Sequence, residues 1–519
     1  MKKDHHLLDQ ATHSTGIGQT GFRIALVIFL LCLLHALWSF SLGWNNTLND
    51  HFGFRQSQVA ITAYYLQKEP FHLAYETPVL GKPWAWPMEF PIYQLIVAKI
   101  SNATHMPLDQ AGRAVTATFY LLTMIPIYAL LRWRRVQPAY SLLFLCIFLV
   151  SPYYLFWART FMIESSVLFF SFSYLACVMW GLESESLILL VCGAIFGAAA
   201  GLAKVTTWLP FLGFTGLWII RDYLCWPIPI PSAKKLHQLV VLLVLGCGIP
   251  FLIALWWVHY SDAVKALNPL GETLSSSKLG WWNYGTIDQK LSLQVWEVIL
   301  SRFFMLFGLP LQAWIILISS VVAVIITRRR ISEFFTLVAL FLISPAVFTN
   351  LHFVHDYYMN ANGLFLLGAI GFAVMSLFES PVNRNKICGV VLLLFILWSG
   401  FSGVAAMYHP LQQMPNREIL QVTDYIKEKT PKDSVLMILG SDYNPMISYY
   451  SERRTLMIPE WGWLNEDMVM KALRNLKGEK IGALLLVEPH RYSIEKLLQQ
   501  CKAEGLEFPI IQSGQLPLR

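Results

Sequence analysis

The sequence predicts a polytopic α-helical membrane protein of about eleven transmembrane helices, followed by a small C-terminal α/β domain. Of its 519 residues, 55% are apolar and only 14% are charged, whereas about 25% of an average soluble domain is charged. The apolar residues fall in blocks of about 17 to 25, the length that crosses a hydrocarbon core of about 30 Å. This composition excludes an ordinary soluble enzyme, and the aromatic content of 14% excludes a disordered chain.

The apolar blocks define the predicted helices. The first block has no small-residue cleavage site after it, so we interpret it as an uncleaved span. Together the blocks cover residues 22–42, 111–131, 139–157, 162–180, 187–203, 205–220, 236–258, 299–326, 332–349, 361–378 and 387–407.

Lys and Arg residues in the short connections predict the orientation, because such residues are enriched on the cytoplasmic side of a membrane. A cytoplasmic N-terminus places five basic connections on that side. They hold Lys2, Lys3 and Arg23; Arg132, Arg134 and Arg135; Arg221, Lys234 and Lys235; Arg328, Arg329 and Arg330; and Arg384 and Lys386. The net charge of +7 therefore sits in separate turns rather than on one stripe, which argues against a nucleic-acid partner.

In this orientation a first loop of residues 43–110, a second loop of residues 259–298 and everything after Met407 lie outside. After Asn416 the pattern changes to alternating helices and strands, with strands expected at 434–439, 455–458 and 481–487. Such alternation predicts a small α/β domain with a mainly parallel sheet. The expected domains are a membrane domain of residues 1–408 and an extracytoplasmic accessory or acceptor-positioning domain of residues 409–519.

The first outer loop is rich in functional side chains. Residues 54–68 have apolar positions on one helical face, which predicts an amphipathic helix lying at the membrane surface. Asp50 and Arg55 flank its start, and a run of prolines then carries Lys82 and Glu89 back toward the bilayer on an irregular path. Irregular backbone at a membrane is costly unless it lines a cavity. The alternative is a surface loop that dips its aromatic residues into the interface.

Ionisable residues also occur at the ends of apolar blocks. Arg159 and Glu164 belong to the stretch ARTFMIE, and Lys204 interrupts AGLAKVTTWLP. Charges in lipid are expensive, so these side chains are expected to face the bundle interior or water. Snorkelling to nearby headgroups is the alternative for Lys204.

A further polar group follows the ninth block, in NLHFVHDYYMNANG. His352, His355 and Asp356 there have a spacing that could ligate a metal, but two histidines are a weak signal. The tyrosines Tyr357 and Tyr358 also suit an interfacial aromatic belt. A third interpretation is a set of donors for a phosphate group.

Together the outer face offers carboxylates, cations and a His/Tyr group beneath apolar helices, which suits a substrate with an anionic head and an apolar tail. A lipid-linked phosphosugar is such a molecule. Sugar transfer to a hydroxyl needs a carboxylate to take the acceptor proton and cations to stabilise the departing phosphate. One base acting in a single displacement inverts the anomeric centre.

Several motifs resemble those of the membrane glycosyltransferases of the GT-C architecture, in particular glycosyltransferase family 39. That family includes the dolichyl-phosphate-mannose protein mannosyltransferases and the bacterial aminoarabinose transferases acting on lipid A. The resemblance covers roughly residues 22–408 and rests on NDHFGFRQSQVA, KPWAWPMEFPIYQ, WARTFMIES, GLAKVT and HDYY. It implies a polyprenyl-phosphate sugar donor and a site on the periplasmic or lumenal face.

The resemblance also implies residue roles. Asp50 would be the general base, Glu89 the second acidic position, and Arg55, Arg159 and Lys204 the cations that hold the lipid phosphate. The remaining candidate substrate-binding residues are Lys82, Glu164, His355 and Tyr357.

Two departures from the family pattern leave the base open. Relatives commonly begin the loop with Asp-Glu, whereas Asp50 is followed by His51, so the base could be shared with or displaced to Glu89. The KPP element of the aminoarabinose enzymes is replaced by Lys82-Pro83-Trp84.

The leading functional prediction is an inverting glycosyltransferase of the bacterial inner (plasma) membrane. It would move a hexosyl- or pentosyl-type sugar from a polyprenyl-phosphate donor to a glycan, lipid or protein acceptor. The alternatives are a surface-polysaccharide polymerase or ligase and a lipid or oligosaccharide transporter, although no internal repeat supports a transporter. No metal ligand set is assigned, and a divalent cation bound by the acidic residues and His355 stays open.

Overall fold

The computed structural model describes residues 18–224, 239–413, 417–487 and 494–506. Within these residues, seven helices are long and apolar enough to cross a membrane, and three further apolar helices are shorter. The seven are Gln19–Ser41, Leu108–Trp133, Glu164–Ser184, Leu187–Leu224, Leu239–Lys265, Pro310–Thr327 and Asn383–Met407. The shorter three are Pro138–Leu149, Ile331–Val347 and Gly363–Phe378.

The long helix Leu187–Leu224 consists of two spans. Its backbone is extended at Lys204 (φ −163°, ψ 94°), and the Lys204 side chain pairs with Glu164, at the start of the helix Glu164–Ser184. Trp218, further along the same helix, contacts Trp133 at the other end of the bundle. The helix Glu164–Ser184 ends there too, because Glu183 pairs with Arg135. The chain therefore reverses direction at Lys204. With this helix counted as two, the described residues contain eleven apolar helices, seven of the undivided helices being long enough to span a membrane, and the predicted fold class is confirmed.

The basic connections meet at one end of the bundle. Arg134 lies 2.7 Å from Glu333, and Arg330 lies 2.7 Å from Glu379. We call this end, which also carries Arg221, the basic face, and the opposite end, which carries the first loop, the loop face. The predicted charges at Lys2, Lys3, Lys234 and Lys235 lie outside the described residues.

The C-terminal α/β domain contains a three-stranded sheet of β1 (Val435–Leu439), β2 (Arg454–Ile458) and β3 (Ile481–Leu486). The strand order is β2-β1-β3 and both pairings are parallel, as predicted. All three strands are apolar and largely buried, which is typical of a parallel sheet covered on both faces. Its helices are Glu418–Lys429, Met446–Ser451, Glu460–Trp463, Glu466–Arg474 and Ile494–Ala503.

The first loop is joined to this sheet through β2. The Thr455 N–H donates to the Pro78 carbonyl (3.0 Å), the Met457 N–H donates to the Val79 carbonyl (2.9 Å), and the Gly81 N–H donates to the Thr455 carbonyl (3.0 Å). Gly81 has a φ of +76°, and a Cβ there would collide with the Leu456 side chain. The loop is therefore a structured edge of the C-terminal domain, rather than a tether.

The helix Gly53–Lys68 forms where it is predicted, but the prediction that it lies amphipathically on the membrane surface was wrong. Every residue from Gln56 to Ala63 is buried, so all of its faces are covered there. It packs against Ile92–Thr104 of the same loop and against Met446–Ser451 of the C-terminal domain. The covering helix comes from a segment almost four hundred residues later, so the local pattern does not reveal it.

Two helix boundaries also differ from the predictions, and proline explains both. The predicted span 299–326 begins at Pro310, after a shorter helix Leu293–Ser301 and a 3₁₀ turn. The predicted span 139–157 is divided into Pro138–Leu149 and Pro152–Trp157. Proline lacks an N–H and is favoured at the first turn of a helix, so it starts a new helix at each position.

The contact between the C-terminal domain and the membrane helices gives a testable prediction. The Tyr450 hydroxyl donates to Asp109 (2.7 Å) and accepts from the Leu48 N–H (2.6 Å). We expect Tyr450→Phe to leave both buried groups short of a partner and to cost about 1–3 kcal/mol of stability. Thermal unfolding in detergent measures this, with Tyr425→Phe, at a residue that is 47% exposed, as the control. Equal melting of the two variants would contradict the prediction.

Candidate active site

Asp50 is held at the loop face by two partners. One carboxylate oxygen, Oδ2, lies 3.1 Å from Arg159 Nη2, and the Gln56 amide donates to the other. The Arg159 side chain is 1% exposed and that of Asp50 is 15% exposed. Gln56 is itself fixed, because its oxygen accepts from the Phe161 N–H (3.0 Å). The carboxylate is therefore oriented while part of it stays accessible.

Phe52 connects Asp50 to the segment after the ninth membrane block. Its backbone is left-handed (φ 56°, ψ 38°), which is strained for a residue with a Cβ. Its ring centre lies 5.6 Å from that of His355, 5.1 Å from that of Tyr357 and 5.9 Å from that of Trp157. This conformation brings the start of the first loop into contact with His355 and Tyr357.

Glu89 forms a second carboxylate–guanidinium pair. Its Oε2 lies 3.1 Å from Arg55 Nη2, and its Oε1 accepts from Gln94 (2.9 Å). Arg55 also donates to the oxygen of Gln58 (2.7 Å). Burial by itself lowers the pKa of Arg55, but the negative charge of Glu89 and, beyond it, that of Glu164 outweigh burial and raise that pKa. Arg55 is thus a permanent cation with Glu164 and Tyr357 nearby.

Lys204 and Glu164 form a third ion pair, with 2.7 Å between Lys204 Nζ and Glu164 Oε1. The Lys204 ammonium also lies 5.1 Å from the Tyr357 ring centre and 4.3 Å from the Tyr358 ring centre. Cations over aromatic faces are stabilised by the ring quadrupole. Lys204 is therefore held in place within the protein rather than extended to lipid headgroups. This geometry argues against the snorkelling alternative.

His51 and Asp356 form a fourth polar pair. His51 Nε2 lies 2.9 Å from Asp356 Oδ2, and the Tyr153 hydroxyl donates to the Asp356 carbonyl (3.0 Å). Arg302 donates to the carbonyls of His352 (2.6 Å) and Phe353 (2.9 Å). These contacts fix the segment that presents His355 and Tyr357.

Several buried polar atoms around these pairs have no hydrogen-bond partner among the described residues. They are Arg159 Nε and Nη1, Glu164 Oε2, Asp356 Oδ1 and Trp157 Nε1. Buried polar groups in folded proteins are nearly always paired, because an unpaired one costs about 1–3 kcal/mol. Those of Arg159 and Glu164 belong to the ion-pair partners of Asp50 and Lys204, so a polar ligand bound beside these pairs would supply the missing hydrogen bonds.

Eight of the nine predicted site residues thus lie in this one region, although their roles stay predictions. They are Asp50, Arg55, Glu89, Arg159, Glu164, Lys204, His355 and Tyr357. Lys82 is the exception. Its ammonium pairs with Glu479 of the C-terminal domain, and it lines a separate depression with Glu76 and Asn475. Its partner is almost four hundred residues away in sequence, so the prediction from the loop alone was wrong about its position.

Sequence reasoning missed two residues that position Asp50. Gln56 belongs to the motif NDHFGFRQSQVA, but it is neutral, so its charge does not mark it as a site residue. Arg113 is buried in the helix Leu108–Trp133 and donates to the carbonyls of Trp44 (3.0 Å), Asn46 (2.7 Å) and Thr47 (3.1 Å), just before Asp50. Arg113 is a charged residue within an apolar span. Arg159 was predicted as a site residue from the same kind of sequence signal, so Arg113 could have been found in the same way.

A metal site is not evident from the side chains. In the part of the chain that the structure describes, no group of three or more His, Cys, Asp and Glu side chains is placed to hold an ion. His355 stacks on Tyr357, with ring centres 5.2 Å apart.

The environment of His355 predicts a pH effect. Burial, followed by the charge of Lys204, lowers the pKa of His355 from 6.5 to about 4, against an opposing effect of Asp356. Between these values the unfolded chain binds a proton at His355 and the folded chain does not. Stability is therefore lost as the pH falls from about 7 toward 4.

We expect the melting temperature of the His355→Gln variant to fall less between pH 7 and pH 4.5 than that of the unmodified protein. Thermal unfolding at pH 7 and pH 4.5 measures this. His72→Gln, at an exposed position of the same face, is the control and should follow the unmodified protein. Parallel pH curves for all three proteins would refute the assignment.

Comparison by sequence matches the chain to no protein-family model and to no curated protein. Comparison by structure finds clear likenesses. ArnT from Cupriavidus metallidurans bound to undecaprenyl phosphate aligns with a TM-score of 0.57 at 14% identity, over 91% of this chain and 90% of ArnT. The same protein in the apo state gives a TM-score of 0.51 at 13% identity, over 87% and 88%.

The archaeal oligosaccharyltransferase AglB from Archaeoglobus fulgidus, in complex with an inhibitory peptide and a dolichol-phosphate, aligns with a TM-score of 0.56 at 10% identity. The alignment covers 84% of this chain but 64% of AglB. At these identities the likeness concerns the fold. ArnT and AglB are membrane glycosyltransferases of the GT-C fold, and this polytopic membrane protein has that fold.

Proposed function

We propose that this chain is an integral membrane glycosyltransferase that moves a sugar from a polyprenyl-phosphate donor to a hydroxyl acceptor at the loop face. The observation that carries the proposal is the convergence of Asp50, part-exposed and oriented, with the cations Arg55, Arg159 and Lys204. The likeness in fold to ArnT bound to undecaprenyl phosphate and to AglB bound to a dolichol-phosphate supports a lipid-phosphate ligand.

The chemistry requires a base and a stabilised leaving group. The acceptor oxygen attacks the anomeric carbon as the bond from that carbon to the phosphate oxygen breaks. The acceptor proton passes to the carboxylate of Asp50, and the electron pair leaves with the polyprenyl phosphate. Lys204, Arg55 and Arg159 stabilise that negative charge. A single displacement of this kind inverts the anomeric configuration.

Asp50 is the preferred base, and Glu89 is the second candidate. Both carboxylates have a guanidinium and an amide as partners. Asp50 lies next to the unpaired polar atoms of Arg159 and Trp157, where a polar ligand is most needed. We therefore propose that Glu89 holds Arg55 in position, and that Arg55 faces the phosphate.

In this proposal His355 and Tyr357 line the donor site. His355 is neutral at neutral pH because burial, then Lys204, lower its pKa to about 4, so it can hydrogen-bond a sugar or phosphate oxygen without adding charge. Tyr357 offers an aromatic face beside Lys204. The positive-inside rule would put the loop face outside the cytoplasm, in the periplasm of a bacterium.

Release of free polyprenyl phosphate tests the proposal. Purified protein is given a polyprenyl-phosphate sugar labelled in the polyprenyl chain, together with a membrane extract as the source of acceptor. A glycosyltransferase releases labelled polyprenyl phosphate, and the Asp50→Asn variant does not. A transporter would return the donor unchanged, which would overturn the proposal.

A polymerase or ligase of surface polysaccharide is the second candidate, and the fold shared with the oligosaccharyltransferase AglB favours keeping it in the test. Such an enzyme would act on a diphosphate-linked oligosaccharide. Parallel reactions with monophosphate-linked and diphosphate-linked donors separate the two functions. Turnover of the diphosphate donor alone would replace the first proposal with the second.

A further inference from the structure

A cavity of about 390 Å³ opens on the side of the bundle and ends at the basic face. It shares no lining residue with the candidate active site. Aromatic and aliphatic side chains from six membrane helices form its wall, among them Phe144, Phe172, Phe211 and Phe365. Leu217, which also lines it, is 69% exposed, so the cavity can be entered from the lipid.

The end of this cavity at the basic face is formed by two arginines and two tryptophans. The Arg134 guanidinium lies 5.4 Å from the Trp133 ring centre and 6.0 Å from that of Trp218, and Arg221 lies 5.5 Å from Trp218. Arg134 is neutralised by Glu333. Arg221 is exposed, and none of the carboxylates whose side chains the structure describes forms an ion pair with it, so its guanidinium is open to a ligand.

The depth of the cavity matches one leaflet. Phe211 and Arg221 both line it and lie ten residues apart in one helix, which corresponds to about 15 Å at 1.5 Å per residue. This is half of a hydrocarbon core of about 30 Å. Trp side chains are also favoured at the level of lipid headgroups. A single acyl chain that starts at the headgroup level of the basic face would fill this length.

We propose that the cavity binds one phospholipid with an anionic headgroup from the leaflet at the basic face. One acyl chain lies between Phe211 and Phe365, and the lipid phosphate is held by Arg221. Arginine suits this role because its planar guanidinium matches phosphate oxygens and is weakly hydrated. The residual positive charge at Arg221, beside the neutralised Arg134, selects an anionic lipid over a zwitterionic one.

The donor's polyprenyl chain is the competing occupant. Its phosphate would be bound at the loop face by Lys204, so the chain would reach the cavity without a phosphate for Arg221. The charge of Arg221 therefore favours the phospholipid.

Native mass spectrometry of the full chain in detergent tests the proposal, with dioleoyl phosphatidylglycerol and dioleoyl phosphatidylcholine as probes. We expect Arg221→Gln to weaken phosphatidylglycerol binding about fivefold and phosphatidylcholine binding, whose phosphate charge is balanced by choline, less than that. Arg329→Gln removes a charge from the same face outside the cavity and should bind as the unmodified protein does. Equal losses in the two variants, or none in Arg221→Gln, would overturn the proposal.

A second variant tests the acyl-chain site itself. Thr336 lines the cavity, and Thr336→Trp should fill it and remove the tightly bound lipid of both types. Unchanged lipid binding by a Thr336→Trp protein that melts normally would overturn the proposal. Displacement of phosphatidylglycerol by one equivalent of undecaprenyl phosphate in both the unmodified protein and Arg221→Gln would likewise overturn it in favour of the donor chain. Donor turnover, measured separately, reports on the loop face and should not change in Arg221→Gln.

Discussion

Asp50→Asn is expected to reduce sugar transfer by about 10²- to 10⁴-fold, the contribution of a positioned general base. Asparagine keeps the volume and one acceptor oxygen but cannot take the acceptor proton. Release of labelled polyprenyl phosphate measures the rate. Because Arg159 is 1% exposed and loses its charge partner, we also expect a lower melting temperature, so thermal unfolding is measured alongside and rates are compared at a temperature where both proteins are folded.

Two further variants assign the effect to the base. Asp262→Asn removes another carboxylate of the loop face, one whose side chain is 20% exposed, and should retain activity. Glu89→Gln should weaken donor binding more than it slows turnover. If Asp50→Asn were active and Glu89→Gln inactive with its donor affinity intact, Glu89 would be the base.

Lys204→Met is expected to weaken donor binding about 10- to 100-fold, because a charge-assisted hydrogen bond contributes about 1.5–3 kcal/mol. The same change leaves Glu164, which is 3% exposed, as a buried carboxylate without its cation. Removal of one member of a buried ion pair costs about 3–5 kcal/mol. The KM for the donor and the melting temperature therefore both change.

The double variant Lys204→Met/Glu164→Gln separates these two effects. It removes the unpaired charge, so we expect its melting temperature to recover toward that of the unmodified protein. Donor affinity should remain low, because the cation is still missing. Recovery of donor affinity in the double variant would mean that Lys204 only balances Glu164 and does not contact the phosphate.

The charged site residues could be predicted because their cost is local. A charge at the end of an apolar block is expensive wherever the block is placed in lipid, so Arg159, Glu164 and Lys204 stand out from the sequence. Their pairing could not be predicted. Glu164 and Lys204 meet because the helices Glu164–Ser184 and Leu187–Leu224 pack against each other.

The first loop illustrates the opposite case. Its richness in polar side chains predicted a functional loop, but the partner of Lys82 and part of the cover over the helix Gly53–Lys68 belong to the C-terminal domain. Gln56 carries no charge, yet it orients Asp50. Such contacts depend on side chains that are hundreds of residues apart, and neither spacing nor composition encodes them.

The sequence by itself determined the helical membrane fold, the parallel α/β domain and the chemical types of the candidate site residues. Hydrophobic length, strand alternation and the cost of buried charge are properties of short segments, so they can be read without coordinates. Only the tertiary structure decided which carboxylate faces which cation, that Lys82 lies apart, and that an apolar cavity ends at Arg221. These features arise from the packing of segments distant in the chain, where the pairing of each charge depends on the geometry of the whole bundle.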